Sequence, residues 1–214
     1  MDFVPSPPVL AAFTLASLVL TITPGPDMVL FLGKTLAQGR RAGLMAMLGA
    51  FSGSVVHTLL AAFGLSALLM NSATAFGILK IVGALYLLWL AVDAIRHGSA
   101  LNLDRLRLRP ETGAQVYLKG VGVNLTNPKI VLFFVTFLPQ FVSAGDPSAP
   151  EKLFFLGLYF MALAFPLCAL MILTADRIAA FAKRSPRAVR VVDWLFASVF
   201  AAFAARLLLE PGRG

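Results

Sequence analysis

Charged residues are scarce in this sequence of 214 residues. Only 13% are Asp, Glu, Lys or Arg, while 59% are hydrophobic and the mean hydropathy is +0.85. A soluble domain is nearer half apolar and about a quarter charged. So few charges cannot cover the surface of a water-soluble globule of this size. The composition therefore excludes an ordinary soluble domain and indicates an integral membrane protein.

Side chains that carry chemistry are also scarce. The sequence has one cysteine, Cys168, and two histidines, His57 and His97, which lie 40 residues apart. One cysteine allows no intrachain disulfide, and we expect Cys168 to be a small packing residue. We find no nucleophile–base set, no His or Cys cluster at metal-ligand spacing and no phosphate-binding loop. We therefore predict no enzyme, no cofactor and no metal site.

Long apolar runs are what the sequence has in abundance. About 20 apolar residues span a bilayer as a helix, and no alternation typical of an outer-membrane barrel occurs. We therefore predict an all-α integral membrane fold with a single domain, 1–214. Six runs have the required length: Val9–Leu32, Ala42–Leu69, Ala73–Ile95, Leu118–Val142, Leu153–Thr174 and Val191–Leu209. They form two three-helix repeats, about 1–97 and 115–214, joined by a basic cytoplasmic loop at about 98–114.

The net charge of +8 would suit nucleic acid, but its distribution does not. Thirteen of the 18 Lys and Arg follow the first, third and fifth spans: Lys34, Arg40, Arg41, Arg96, Arg105, Arg107, Arg109, Lys119, Arg177, Lys183, Arg184, Arg187 and Arg190. This positive-inside pattern predicts a multi-pass membrane protein with both termini on the non-cytoplasmic side. We expect the lipid bilayer as a partner and no nucleic acid. No Lys or Arg precedes Lys34, so we expect no cleavable signal peptide.

Two polar, proline-containing stretches interrupt the first and fourth spans. One is TPGPD, Thr23–Asp27, and the other is NLTNPK, Asn124–Lys129. An offset of 102 residues aligns PGPDMVLFL with TNPKIVLFF, which are identical at four of nine positions. Because each half has three spans, the two halves are inverted relative to each other. Paired interruptions at corresponding places indicate the binding site of a transporter.

Each interruption predicts a new helix N-terminus at membrane depth. Asn127–Pro128 is a good N-cap followed by proline, and Gly25–Pro26 can play the same part less strongly. Unpaired N–H groups and the helix dipole at such an end suit a carboxylate. Asp27 and Lys129 follow the prolines with opposite charge, and Lys129 opposes the dipole of its own helix. The two form a structural ion pair, or one of them serves substrate or a proton.

The second and third spans hold further candidates. Gly49, Gly53 and His57 are spaced four apart on one helical face, where small residues allow close packing within the chain or across a homodimer. His57 lies near the middle of its span and either carries a proton or bonds to a neighbouring helix. Tyr86 needs a partner for a buried hydroxyl group and is a candidate for lining a cavity.

With these residues located, the chain resembles the lysine exporter/homoserine–threonine resistance (LysE/RhtB) family of bacterial amino-acid efflux proteins. The resemblance covers nearly the whole chain and rests on four stretches: TPGPD at Thr23–Asp27, GRRAGLMAMLGAFSGSVVH at Gly39–His57, LKIVGALYLLWLAVDAIR at Leu79–Arg96 and NLTNPKIVLFFVTFLPQF at Asn124–Phe141. It implies a six-helix inner-membrane protein that exports amino acids or similar metabolites and is driven by the proton motive force. It does not name the substrate.

We expect alternating access around the two interruptions, with the substrate carboxylate at the two helix N-termini beside Lys129. Asp27 holds the α-ammonium group or carries the coupling proton, with His57 as the alternative proton carrier. The predicted substrate-binding residues are Thr23, Pro24, Gly25, Pro26, Asp27, Tyr86, Asn124, Thr126, Asn127, Pro128 and Lys129. The competing interpretations are a passive channel and, less favoured, a membrane-embedded enzyme.

Overall fold

The computed structural model describes residues 4–67, 73–97, 111–143 and 145–209. All regular structure in these residues is helical, as predicted. The helices are α1 (Pro7–Ile22), α2 (Pro26–Gln38), α3 (Arg40–Leu59), α4 (Ala73–His97), α5 (Gly113–Thr126), α6 (Pro128–Leu132), α7 (Ala149–Leu173), α8 (Ala175–Arg184) and α9 (Pro186–Leu209). A π-helical stretch, Leu60–Leu65, continues α3. A second one, Phe133–Phe137, continues α6 into a 3₁₀ turn at Leu138–Phe141.

Both predicted interruptions are breaks between helices. α1 meets α2 at 49°, and α5 meets the helical segment Pro128–Phe141 at 51°. The residue before each proline, Thr23, Gly25 and Asn127, has an extended backbone. A proline ring clashes with a preceding residue in helical conformation. Thr23 and Asn127 therefore follow the ends of α1 and α5, and Gly25 precedes the start of α2.

The number of membrane spans is supported only in part. The continuous helices Arg40–Leu65 and Ala149–Leu173 are each long and apolar enough to cross a membrane. Each bent pair adds one more if it is a single span, which gives up to four in the described part of the chain. The third and sixth predicted runs lie in α4 and α9, which pack on each other. Six spans and the inversion of the halves stay predictions.

One helix was not predicted. α8 occupies the segment between the fifth and sixth apolar runs, where the sequence indicated only a basic loop. It packs on α2, because Ala175 and the partly buried Ile178 contact a cluster that contains Met28 and Leu32. The basic residues Arg177, Lys183 and Arg184 are exposed.

α3 and α5 cross in direct backbone contact. A Cβ atom at Gly49 would lie 2.0 Å from the carbonyl oxygen of Tyr117, and one at Gly120 would lie 2.2 Å from that of Ala46. Each glycine therefore faces the backbone of the partner helix, as expected where small residues let helices approach. The glycine face of the second span is thus used within the chain. The homodimer stays a prediction that this face does not support.

An ion pair joins α2 to the segment just before α5. The Lys34 side chain is fully buried, and its Nζ lies 2.9 Å from Oε2 of Glu111. The carboxylate also lies 3.3 Å from Nζ of the exposed Lys119. Lys34 lowers the pKa of the Glu111 carboxyl group below its ordinary value of 4.5. The prediction that Lys34 belongs to a basic loop after the first span is wrong, because α2 runs on to Gln38 and buries this side chain.

Gly120→Ala should destabilise the protein because the new methyl group would overlap the backbone of Ala46. Overpacking of this kind costs about 1–3 kcal/mol, so we expect a lower Tm in detergent. The control is Gly122→Ala on the same helix, where a Cβ atom meets nothing within 4 Å. Alanine favours a helix over glycine, so this control should leave the Tm unchanged or raise it. Equal Tm values for the two variants would contradict the backbone contact between the helices.

Glu111→Gln should lower the Tm because it leaves the buried ammonium of Lys34 without its counter-charge, at a cost of about 2 kcal/mol. Lys119→Gln removes the exposed partner of the same carboxylate and should cost under about 1 kcal/mol.

Because pairing lowers the pKa of Glu111, the stabilisation that the ion pair provides is full above pH 4.5 and is lost as the pH falls through the lowered pKa. A Tm deficit of Glu111→Gln that stays constant on acidification would contradict this pairing.

Candidate functional site

Lys129 follows the second break in sequence, but its side chain reaches the first. Its Nζ donates hydrogen bonds to the carbonyl oxygens of Thr23, at 2.7 Å, and Leu20, at 3.1 Å. Thr23 is the C-cap of α1, and Leu20 lies in its last turn. Carbonyl groups at a helix C-terminus lack helical partners and carry a partial negative charge. The end of α1 therefore supplies the partner that Lys129 needs at the unfavourable start of its own helix.

Asp27 makes the corresponding contact from the first break to the second. Its Oδ2 accepts a hydrogen bond of 2.8 Å from Nδ2 of Asn124, a buried residue in the last turn of α5. A carboxylate cannot bond to carbonyl oxygens, so this contact requires a donor side chain at the helix end. Each charged residue therefore binds the helix that ends at the opposite break.

Helix α3 holds Asn124 in position. Oγ of Ser54 donates to Oδ1 of Asn124 at 3.4 Å, and Nε2 of His57 lies 3.4 Å from its carbonyl oxygen. A Cβ atom at Gly53 would lie 2.6 Å from the same Oδ1, so the absence of a side chain there makes room for the amide. The His57 ring also stacks on Phe134, with centroids 5.5 Å apart. These contacts turn the amide nitrogen towards the carboxylate at the first break.

The two N-cap positions differ in what they do. At the second break, Oδ1 of Asn127 accepts a hydrogen bond of 3.0 Å from the backbone N–H of Lys129, so the predicted N-cap is present. At the first break, Gly25 makes no side-chain cap. A Cβ atom there would lie 3.1 Å from Nζ of Lys129. Gly25 therefore leaves space for the lysine that crosses from the other break.

A cavity of about 50 Å³ lies beside both breaks. Its polar wall consists of Thr21, Asp27, Ser54, Asn124 and Lys129. The remaining wall is apolar or weakly polar: Leu20, Met28, Phe31, Ala50, Phe51, Ile130, Phe160, Ala164, Cys168 and Met171. This volume suits a few water molecules. A larger solute would enter only if the surrounding helices moved apart.

The two charged groups in this wall keep unused bonding capacity. Oδ1 of Asp27 is buried and has no hydrogen-bond partner among the described residues. Two of the three N–H donors of the Lys129 ammonium group bind Leu20 and Thr23, which leaves one. In the described part of the chain, no ion pair of 4.0 Å or less joins Asp27 to Lys129. The alternative of a direct structural ion pair is therefore not what the structure shows.

The predicted site residues divide into three groups. Asp27, Asn124 and Lys129 line the cavity. Others shape the breaks themselves: Thr23, Pro24, Gly25 and Asn127, of which Thr23 also donates its hydroxyl to the Val19 carbonyl at 2.6 Å. The rings of Pro26 and Pro128 are exposed, and both residues begin helices.

The three remaining predicted residues, like those that shape the breaks, do not line this cavity. Thr126 is exposed, and its hydroxyl donates to the carbonyl oxygen of Gly122 at 2.8 Å. Tyr86 does line a cavity, but a different one of about 20 Å³, to which Lys129 and Thr136 also contribute. His57 is buried and does not itself line the cavity, but it contacts Asn124, which does. None of the three lines the cavity beside both breaks, and His57 can act on it only through Asn124.

Helix α7 supplies cavity residues that the sequence analysis missed. Phe160, Ala164, Cys168 and Met171 all line the cavity. Their spacing of four, four and three residues places them on one face of α7. That spacing is visible in the sequence, but it is equally typical of ordinary core packing, so it did not single these residues out.

Comparisons with known proteins agree with this architecture. The model of the LysE type translocator family matches residues 18–211. Homoserine/homoserine lactone efflux proteins of Salmonella typhimurium and Salmonella typhi are each 30% identical over 189 residues, which cover 88% of this chain and 90% of each relative. A leucine efflux protein of Klebsiella pneumoniae is 26% identical over 195 residues, covering 91% of this chain and 92% of that protein. No solved structure gives a significant match.

These matches extend over most of the chain and include both breaks, α3 and α7. They agree with the resemblance seen in the sequence and with a transporter rather than an enzyme. The chain belongs to the LysE type translocator family of membrane proteins.

Proposed function

We propose that this protein exports an amino acid or a closely related small metabolite from the bacterial cytoplasm by alternating access around the TPGPD and NLTNPK breaks. The observation that carries the proposal is the pair of unused bonding positions in one cavity, an acceptor on Asp27 and a donor on Lys129. Relatives named for the efflux of homoserine and leucine support an amino acid as the substrate.

The two charges suit the two ends of an amino-acid zwitterion. Oδ1 of Asp27 accepts a hydrogen bond from the α-ammonium group, and the remaining N–H of Lys129 donates to the α-carboxylate. Charge-assisted hydrogen bonds of this kind are the stronger ones in proteins. Because the site contributes one charge of each sign, a zwitterion is bound without leaving a buried charge unpaired.

The place of the substrate carboxylate differs from the one expected from the sequence. The start of α2 already holds a carboxylate, that of Asp27, in its first turn. A second carboxylate there would be repelled by the first. Lys129 lies between the end of α1 and the cavity, and it therefore provides the better site for the negative end of the substrate.

Asp27 also provides the means of coupling to protons. A single carboxylate oxygen without a partner binds either the α-ammonium group or a proton, but not both. Exchange of a proton for the amino acid at Asp27 therefore couples inward proton movement to export. His57 supports Asn124, the fixed partner of Asp27, and so acts on this carboxylate indirectly.

Alternating access explains why the cavity is small. A cavity of about 50 Å³ is too small for an amino acid, so binding requires the helices around it to separate. In the proposed topology, six spans form two inverted halves, with both termini outside the cytoplasm, and separation alternates between the two sides of the membrane. The reciprocal contacts of Lys129 with α1 and of Asp27 with α5 support equivalent roles for the two breaks.

Asp27→Asn and Lys129→Gln should each reduce export at least about tenfold in proteoliposomes, because each removes one charge that binds the zwitterion. Thr126→Val is the control from the same break, since its hydroxyl faces away from the cavity and bonds only to backbone carbonyls. It should retain the wild-type rate. Gel filtration and Tm measurements establish that each variant is folded. Undiminished coupled export by both charge variants would overturn the proposed site.

Counterflow should separate this carrier from a passive channel. Vesicles preloaded with unlabelled substrate should take up labelled substrate faster than empty vesicles. In a carrier, the binding site returns to the outer side faster when internal substrate occupies it than when it is empty. An inward proton gradient should also accelerate export. A rate that is insensitive to internal substrate would indicate a channel and contradict alternating access.

A further inference from the structure

One face of α7 forms a continuous wall of the cavity. Phe160, Ala164, Cys168 and Met171 lie on this face, and all four contribute to the lining. The first three are buried, and Met171 is partly exposed. None carries a charge or a strong hydrogen-bonding group. We call these four residues the α7 stripe.

The rest of the apolar wall comes from neighbouring helices. Met28 and Phe31 of α2 and Phe51 of α3 also line the cavity. Phe51 packs edge-on against Phe165 of α7, with ring centroids 5.5 Å apart, so the two walls are in contact. Aromatic rings and methionine side chains adapt well to apolar groups of variable shape.

The polar part of the wall has little to offer a second polar group on the substrate. Asp27 and Lys129 are the two charged residues that line the cavity in the described part of the chain. The hydroxyl groups of Thr21 and Ser54 already donate, to the Ser17 carbonyl at 2.7 Å and to Asn124 at 3.4 Å. A charged substrate side chain would therefore be buried without a counter-charge. A substrate hydroxyl could only donate to the oxygens of Thr21 and Ser54, which lie on α1 and α3 and not on α7.

We infer that the α7 stripe is the side-chain subsite and that the substrate class is a zwitterionic amino acid with an uncharged, apolar side chain, such as leucine or methionine. This inference rests on the proposed function, because it assumes that Asp27 and Lys129 hold the α-ammonium and α-carboxylate groups. An apolar side chain gains from burial against the stripe, whereas cationic, anionic and hydroxylated side chains lose hydration there without compensation.

The test is a competition panel in proteoliposomes that contain the full chain. Counterflow of labelled leucine is measured with unlabelled leucine, methionine, homoserine, lysine and glutamate as competitors. Leucine and methionine should compete at least about tenfold more strongly than the other three. If homoserine, lysine or glutamate competes as well as leucine, the inference is overturned while the proposed function stands.

A second set of measurements applies if the protein does not transport labelled leucine. Labelled homoserine, lysine and glutamate are then tested directly. Transport of any of these without leucine transport overturns the apolar subsite but keeps amino-acid export. If no amino acid shows counterflow in a folded preparation, the proposed function falls and the inference falls with it.

A charge introduced into the stripe tests the role of α7 itself. Met171→Glu places a carboxylate where the wall is partly exposed, which limits the folding cost. It should raise the competition by lysine relative to leucine at least about tenfold. Met171→Gln has nearly the same shape without the charge and should not admit lysine. Equal competition by lysine in the two variants would show that α7 does not contact the substrate side chain.

The sole cysteine, Cys168, lies in the stripe and reports occupancy independently of transport. A small thiol reagent should label it more slowly in the presence of leucine than of lysine at the same concentration, by at least about fivefold. Equal protection by both would argue against selection at the stripe. Cys168→Ala controls for labelling elsewhere on the chain.

Discussion

The fold depends on where the ammonium group of Lys129 can be placed. It is buried, and it belongs to the second residue of a helix, where the dipole disfavours a positive charge. The last turn of α1 resolves this conflict with two carbonyl oxygens. The contact requires the end of α1 to lie within reach of the start of α6, and a side chain at Gly25 would crowd the lysine. One lysine thus fixes how the two broken helix pairs meet.

The contact of Asp27 with α5 is the counterpart of the contact of Lys129 with α1, with a negative charge in place of a positive one. Asp27 is favoured by its own helix dipole but cannot bond to a helix C-terminus, so a donor side chain, Asn124, takes the place of carbonyl groups. The close crossing of α3 and α5 brings Ser54 and His57 to the same asparagine. The small residues of α3 therefore have two effects. They allow close packing on α5, and they bring the α3 side chains that bind Asn124 within reach of it.

Local features of the site were predictable from sequence and long-range ones were not. The breaks and the Asn127 cap depend on the stereochemistry of a few adjacent residues, and both were predicted. The partners of Lys129 lie 106 and 109 residues away, and no local pattern points to them. Lys34 looked like a loop residue because its counter-charge, Glu111, lies far along the chain, just before α5. Thr126 looked polar and functional, yet a helix presents neighbouring residues on different faces.

We propose that one substrate is held by both of its charges, and analogues that lack one of these charges test this binding mode. Binding is compared for a transported amino acid, the amine that lacks its carboxylate and the acid that lacks its ammonium group, all with the same side chain. We expect each analogue to bind at least about tenfold more weakly, the free-energy equivalent of about 1.4 kcal/mol. An amine or acid that binds as tightly as the amino acid would show that Asp27 and Lys129 do not hold the two ends of one substrate.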